Sequence, residues 1–353
     1  MDIKSTLKRL SEAHGVSGYE TEVREIVVEE FRAMADEVRV DKLGNVIALK
    51  RGDRPASGNH QTRVMLAGHM DEIGLMVTKL EKGFLHFTTV GSFDQRVLLG
   101  QEVTVHGRRP LPGVIGSRPP HVLPREERDK VIPIDKLFID VGLAEGELAE
   151  AVQVGDLVTL RRDFVELKDG CVVGKALDDR TSLVVILNCF HLLTSRRHAW
   201  DVFGVATVQE EVNLAGAFTS TYGLSPDIGI AIDVTFGSMT GLSQAETFDL
   251  GKGPSIAYGP NIHPRLYQKL VEVAQEEEVR HQIEPVPGSS GTDAWAMQVV
   301  KEGIPTALVS VPLRNMHTSV ELLSLKDVER ASRLLASFIV RLDDQFLDSL
   351  KGK

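Results

Sequence analysis

Apolar residues first recur at helical spacing. Ile3, Leu7 and Leu10 share one face of a segment that runs to His14, and Gly15 is a natural stop beyond it. Val23, Ile26, Val27 and Phe31 line up in the same way between Glu20 and Ala35 and predict a second helix. The pattern then shortens. Val38-Arg39-Val40 and Val46-Ile47-Ala48-Leu49 flank Asp41-Lys42-Leu43-Gly44-Asn45 and read as a hairpin. Val64 to Ala67 is continuously apolar and too short for a helix, which predicts a buried strand running into His69.

From Ile73 to about Asp163 helical periodicity fades. Short β-rich runs take over at Leu75–Leu80, Phe84–Val90, Glu102–His106, Gly113–Ile115, Leu137–Val141 and Leu157–Leu160, many separated by glycine or proline. That spacing predicts a small β-barrel or sandwich inserted into another domain. Arg118-Pro119-Pro120-His121 and Arg125 to Lys130 within it read as a polar, solvated loop. From Gly174 helices and strands alternate again. Ser182–Leu193 is apolar on nearly every side and predicts a buried helix; Val202–Val208, Ile228–Ile232 and Thr306–Val311 predict interior strands. Pro264 and Thr292 sit where helices can begin, Gly303 where one can end, and Ser324 with Asp327 reads as a capping pair for the last helix. The expected organisation is one α/β domain, residues 1–72 and 164–353, split by a β-rich insert at 73–163.

Composition narrows the function classes. The chain has 353 residues and a formal net charge of −10, which argues against a dedicated binder of phosphate backbones. Cys171 and Cys189 lie in apolar surroundings and read as reduced, buried thiols. The polar start Met1-Asp2-Ile3-Lys4 and the lack of any apolar run of 18 residues predict a cytoplasmic protein with no membrane partner.

Candidate chemistry gathers where the predicted strands end. The first runs into Leu66-Ala67-Gly68-His69-Met70-Asp71-Glu72, whose His-x-Asp spacing suits a metal-bound imidazole with its other ring nitrogen held by an acid. Val202–Val208 leads to Gln209-Glu210-Glu211, Ile228–Ile232 to Asp233, and Thr306–Val311 to His317. Asp178 stands where the chain re-enters the α/β domain. In open α/β sheets ligands bind beyond the carboxyl ends of strands. Two histidines and several carboxylates meeting there suit zinc, cobalt or manganese, and a pair of divalent ions would neutralise the charge. Adjacent strand residues point to opposite faces, so Glu210 and Glu211 can both reach the site only if the strand ends at about Gln209.

Several segments resemble the glutamyl and tetrahedral aminopeptidases, a family of metallo-aminopeptidases with some members labelled endoglucanases. The likeness is loose at Gly15-Val16-Ser17-Gly18-Tyr19-Glu20. It is sharp at Gly68 to Gly74, at Gly113 to His121 and at Leu177-Asp178-Asp179-Arg180. It is equally sharp at Gln209-Glu210-Glu211-Val212, Gly291-Thr292-Asp293-Ala294 and Met316-His317. The resemblance implies a mixed-sheet α/β metallopeptidase domain carrying a small PDZ-like barrel used for oligomerisation, and assembly into a tetrahedral dodecamer. It further implies two divalent metal ions, with Asp178 bridging them, His69 and Asp233 completing one shell, and Glu211 and His317 the other. Glu210 would be the general base and Asp71 would orient His69. A cis peptide at Asp178–Asp179 is also implied.

Four places depart from the family pattern. Asn213 and Ala215 stand where Gly and Arg are expected, Asn315 where Tyr is, and Thr318-Ser319 where Ser-Pro is. None removes a ligand, but they leave the preferred N-terminal residue open. Two other readings compete with peptide hydrolysis. Glu210 and Glu211 could serve a metal-independent glycosidase, which leaves His69 and His317 without a purpose. A non-catalytic, self-associating peptide binder is the third. No Gly-x-Ser-x-Gly elbow, phosphate-cradling loop or dinucleotide fingerprint is present.

Overall fold

The computed structural model describes residues 1–53 and 61–351. Four parallel strands form the middle of a large mixed sheet, side by side in the order Asp201–Thr207, Arg63–His69, Ile228–Phe236 and Thr306–Arg314. Each is buried along nearly its whole length. Burial on both faces explains why each reads as a continuous apolar run rather than an alternating one. The hairpin Glu37–Val40 and Val46–Lys50 extends one side, and Glu321–Ser324, Cys171–Gly174 and Val165–Glu166 the other. The α/β architecture with a mixed sheet is as expected.

Alternate residues of the central strands feed two cores, one on each face. Val64 and Leu66 pack with Leu187 of the helix Leu177–Leu193 and Leu335 of the helix Leu325–Val340. Met65 and Ala67 pack with Ala217 of Ala215–Leu224 and Met297 of Asp293–Gln298. The first interface needs a residue without a side chain. A Cβ on Gly68 would lie 2.6 Å from Ser182 Cβ, so glycine is what lets the strand carrying His69 press against the helix following Asp178.

The barrel is closed. Its six antiparallel strands run in the order Gly74–Glu81, Phe84–Val90, Phe138–Asp140, Pro110–Gly116, Glu102–His106 and Leu157–Leu160, and the last pairs with the first. Closure leaves no free sheet edge, and Leu75, Val77, Leu85, Val103, Val105, Ile139 and Val158 fill the interior.

Some expectations need correction. The helix that follows Ser324, Leu325–Val340, is not the last, because Asp344–Ser349 forms another beyond it. The Ser324 side chain makes no capping bond; Asp327 instead accepts from the backbone N–H groups of Gly251 and Gly253 and from Arg330. The stretch around Arg125–Glu127 is wound into short 3-10 turns rather than being plain loop. The helix starting at Thr292 stops at Gln298, before Gly303. Cys189 is buried, whereas Cys171 is only half-buried; both are free thiols. Among the described residues no helix is long and apolar enough to cross a membrane.

Candidate metal centre

The parallel strands deliver their side chains to one edge of the sheet. His69 is the last residue of its strand, and Ala67 lies opposite Ala231 on the neighbour, so Asp233 falls level with His69. The strand Asp201–Thr207 stops earlier than expected. Gln209 then takes a left-handed backbone conformation (φ 57°), and Glu210–Asn213 forms one helical turn. Two adjacent glutamates thus reach the site from a turn instead of from a strand end. Asp71 builds that turn: its carboxylate accepts from the N–H of Glu210 at 2.9 Å, the N–H of Glu211 at 3.1 Å and the hydroxyl of Ser17 at 2.6 Å.

Asp178 follows the strand Cys171–Gly174 of the large sheet. Asp178 and Asp179 have non-helical backbones and a cis peptide between them. Asp179 then caps the helix proper, its Oδ1 accepting from the N–H and hydroxyl of Ser182. His317 arrives on a tight loop with a left-handed backbone (φ 60°), as does Asn315 (φ 57°). Left-handed conformations are uncommon away from glycine and cluster at functional sites.

Distances define the arrangement. Asp178 sits between the two imidazoles, Oδ1 3.3 Å from His69 Nε2 and Oδ2 3.4 Å from His317 Nε2. Glu211 lies 3.4 Å from His317 Nε2, and Glu210 3.9 Å from His69 Nε2. The other ring nitrogen of His69 faces Asp71, 3.1 Å from its carbonyl and 3.4 Å from its carboxylate. Three groups have donor atoms within 4.8 Å of one another: His69 with Asp178 and Asp233, Asp178 with Glu211 and His317, and His69 with Glu210 and Glu211. Two donors that share a tetrahedral cation at about 2.1 Å lie roughly 3.4 Å apart. The 3.3 to 3.4 Å separations around Asp178 therefore fit donors held for a common ion.

Electrostatics points the same way. Burial pushes Asp233 well above the ordinary carboxylate range, and Asp178's charge adds to it even though His69 opposes. Burial likewise lifts Glu211, and it lifts Glu210 to about 10, helped by the charges of Asp233, Asp293 and Glu211. Asp178 moves the other way, because hydrogen bonds to both histidines outweigh its burial. Too many anions share the cleft for two imidazoles to neutralise, and extra positive charge is the physical remedy.

Two positions were not recognised from the sequence as part of the site. Glu321 is buried, and its oxygens accept the backbone N–H groups of Asp178 at 3.0 Å and His317 at 2.9 Å, tying two ligand-bearing loops together. Nothing in its surroundings, Ser319-Val320-Glu321-Leu322, signals this. Asp293, inside a segment that was noticed, accepts from the Thr207 hydroxyl at 2.6 Å while its other oxygen has no partner.

Comparison with known proteins agrees over almost the whole chain. A family model described as M42 glutamyl aminopeptidase matches residues 44–334. A lysyl aminopeptidase from Pyrococcus furiosus is 39% identical over 345 residues, covering 95% of this chain and 96% of that protein. The crystal structure of a TET aminopeptidase from a marine sediment Thaumarchaeota archaeon aligns with a TM-score of 0.93 at 35% identity, covering 99% of this chain and 98% of that one. The TET1 peptidase of Pyrococcus horikoshii, described as able to assemble into a tetrahedron or a large octahedral shell, aligns with a TM-score of 0.84 at 32% identity. That alignment covers 97% of this chain and 100% of the other. The chain therefore belongs to the M42 glutamyl aminopeptidase family and is a peptidase.

Proposed function

We propose that the protein removes N-terminal residues from peptides in a reaction that needs two divalent metal ions. The observation that carries this is Asp178, with one carboxylate oxygen turned to each imidazole of a cleft rich in further carboxylates. Asp178 would be shared between the ions, with His69 and Asp233 completing one set of ligands and Glu211 and His317 the other. The mixture of imidazole and carboxylate suits zinc or cobalt, and manganese next. When bound, such ions polarise the scissile carbonyl and lower the pKa of the attacking water.

The chain's own groups carry the remaining work. Glu210 is the general base: its carboxyl ionises once the cleft holds positive charge, accepts the proton of the attacking water, and later passes a proton to the leaving amine. Asp71 keeps His69 oriented and holds the turn that presents Glu210 and Glu211. Residues 1–72 and 164–353 act as the catalytic unit. The barrel unit, 73–163, serves self-assembly, a reading supported by the shells described for the Pyrococcus horikoshii relative.

The test is chelation followed by add-back. Exhaustive treatment with a strong chelator should abolish hydrolysis of aminoacyl-coumarins, and zinc, cobalt or manganese should restore it. Activity indifferent to chelation would sink the metal-dependent reading.

A further inference from the structure

The cleft contains a carboxylate that the chemistry above does not use. Glu284, on the strand Gln282–Pro285, lines the same cavity of about 260 Å³ as His69, Asp178 and His317. It lies outside the three groups whose donor atoms converge. The Thr235 hydroxyl donates to its Oε1 at 2.6 Å, and the Ser255 hydroxyl donates to Oε2. Both donors are neutral, and each carboxylate oxygen keeps lone pairs for a further donor. Among the described residues no basic side chain pairs with it.

Position and charge both suit a ligand's cation. Thr235 is two residues beyond Asp233 on one strand, hence on the same face and roughly 7 Å further along. Glu284, bonded to Thr235, is thus set back from the ligand cluster by about the reach of a long side chain. Phe236, Val286, Leu308 and Met316 line the same cavity and offer an apolar wall to an aliphatic stem. Two divalent ions would balance the charge of Asp178, Glu210, Glu211 and Asp233, leaving Glu284 as the one acid among the described residues lining this cavity without a counter-charge. A half-buried carboxylate without a counter-charge favours a partner that brings one.

We propose that Glu284 selects peptides whose first residue carries a positively charged side chain, lysine or arginine. The proposal rests on the metallo-aminopeptidase reading and names the substrate class of the same site. Glu284 acts here as a specificity residue and takes no part in bond cleavage.

The experiment compares lysyl-, arginyl-, leucyl- and glutamyl-aminomethylcoumarin with metal-loaded wild type, Glu284→Gln and Glu284→Asp. Wild type should favour the lysyl and arginyl substrates. Glu284→Gln should lower the lysyl-to-leucyl ratio of kcat/KM by roughly 10- to 100-fold, the scale of one charge-assisted hydrogen bond. Glu284→Asp, which keeps the charge but shortens the reach, should retain part of the preference. A ratio unchanged in Glu284→Gln, or a wild type that favours leucyl or glutamyl substrates, overturns the proposal. A binding measurement runs beside turnover: L-lysinamide should raise the melting temperature of wild type more than L-leucinamide does, and Glu284→Gln should lose that difference. If no substrate is cleaved but this selective shift is seen and is lost in the variant, the peptidase chemistry fails and the role of Glu284 stands. Cleavage that ignores the charge of the first residue is the reverse.

Discussion

Glu72, Lys175 and Arg180 stand within a few positions of His69 and Asp178 in sequence, and all five side chains are buried. The two sets they belong to are built differently. Lys175 Nζ lies 2.9 and 2.8 Å from the two oxygens of Glu72 and 3.0 Å from the carbonyl of Ala13; Arg180 donates to the carbonyl of Leu10 and approaches Glu72 at 3.5 Å. Burial would raise the Glu72 carboxyl, but Lys175 and Arg180 more than offset it and hold it below its ordinary value. This set supplies its own counter-charges and ties the N-terminal segment to the end of the His69 strand. The neighbouring ligand set accumulates anions that its own two imidazoles do not balance. Burial alone therefore does not mark a functional site. Carboxylates left without a counter-charge do.

The sharpest way to break that contrast is to remove one acid whose proposed role is chemical. Glu210→Gln should lower kcat by roughly 10²–10⁴-fold, the scale of losing a general base, with the metal content by elemental analysis unchanged. Retention of more than about a tenth of wild-type turnover would take Glu210 out of the reaction.

Stability separates the two sets next. Glu72→Gln leaves Lys175 and Arg180 buried without their anion, a loss on the order of 3–5 kcal/mol. Asp233→Asn in chelated protein removes a repelled carboxylate while keeping an oxygen for the N–H of Val234. It should cost nothing, or gain about 1 kcal/mol. Urea denaturation of both variants after chelation measures this. Equal destabilisation would mean that the ligand set is as well balanced as its neighbour.

The same contrast explains what was legible beforehand. His69, Glu210, Glu211, Asp233 and His317 were visible because each follows an apolar run, and strand ends are where an α/β sheet collects ligands. The barrel was visible because its short runs alternate with glycine and proline. Asp178 was visible only as an acid where the chain re-enters the α/β domain after a short strand, and its bridging role came from resemblance. Glu72, Lys175, Arg180 and Glu321 act through partners far away in sequence, such as Glu321 with the N–H of Asp178, and no local spacing announces such pairs. The strands Ser255–Tyr258 and Gln282–Pro285 were missed, and with them Glu284. Both are short: Gln282–Pro285 pairs with Ser255–Tyr258, which in turn pairs with Thr306–Arg314, and none of these adjoins another in the sequence.

A slope of stability with pH sharpens the comparison most because the two sets oppose each other. In chelated protein burial holds Glu210 up at about 10. His317 rises to about 11, since hydrogen bonds to Asp178 and Glu211 outweigh its burial. Both groups then bind more protons folded than unfolded, so the stability they contribute is full below their unfolded values and is lost as pH rises toward 10 and 11. Glu72, held low, has the opposite sign: its contribution is present above its ordinary value of 4.5 and is lost as pH falls through its lowered folded value. Melting temperature in chelator should therefore fall between pH 7 and 9, by at most roughly 1.4 kcal/mol of stability per pH unit for each proton involved. Metal add-back should flatten or reverse that limb, because ions compete with protons for the same donors. Glu72→Gln should blunt the acid limb and leave the alkaline one in place. A chelated protein whose melting temperature rises from pH 7 to 9 would mean that the ligand set carries its own balance of charge, and the distinction between the two clusters would be gone.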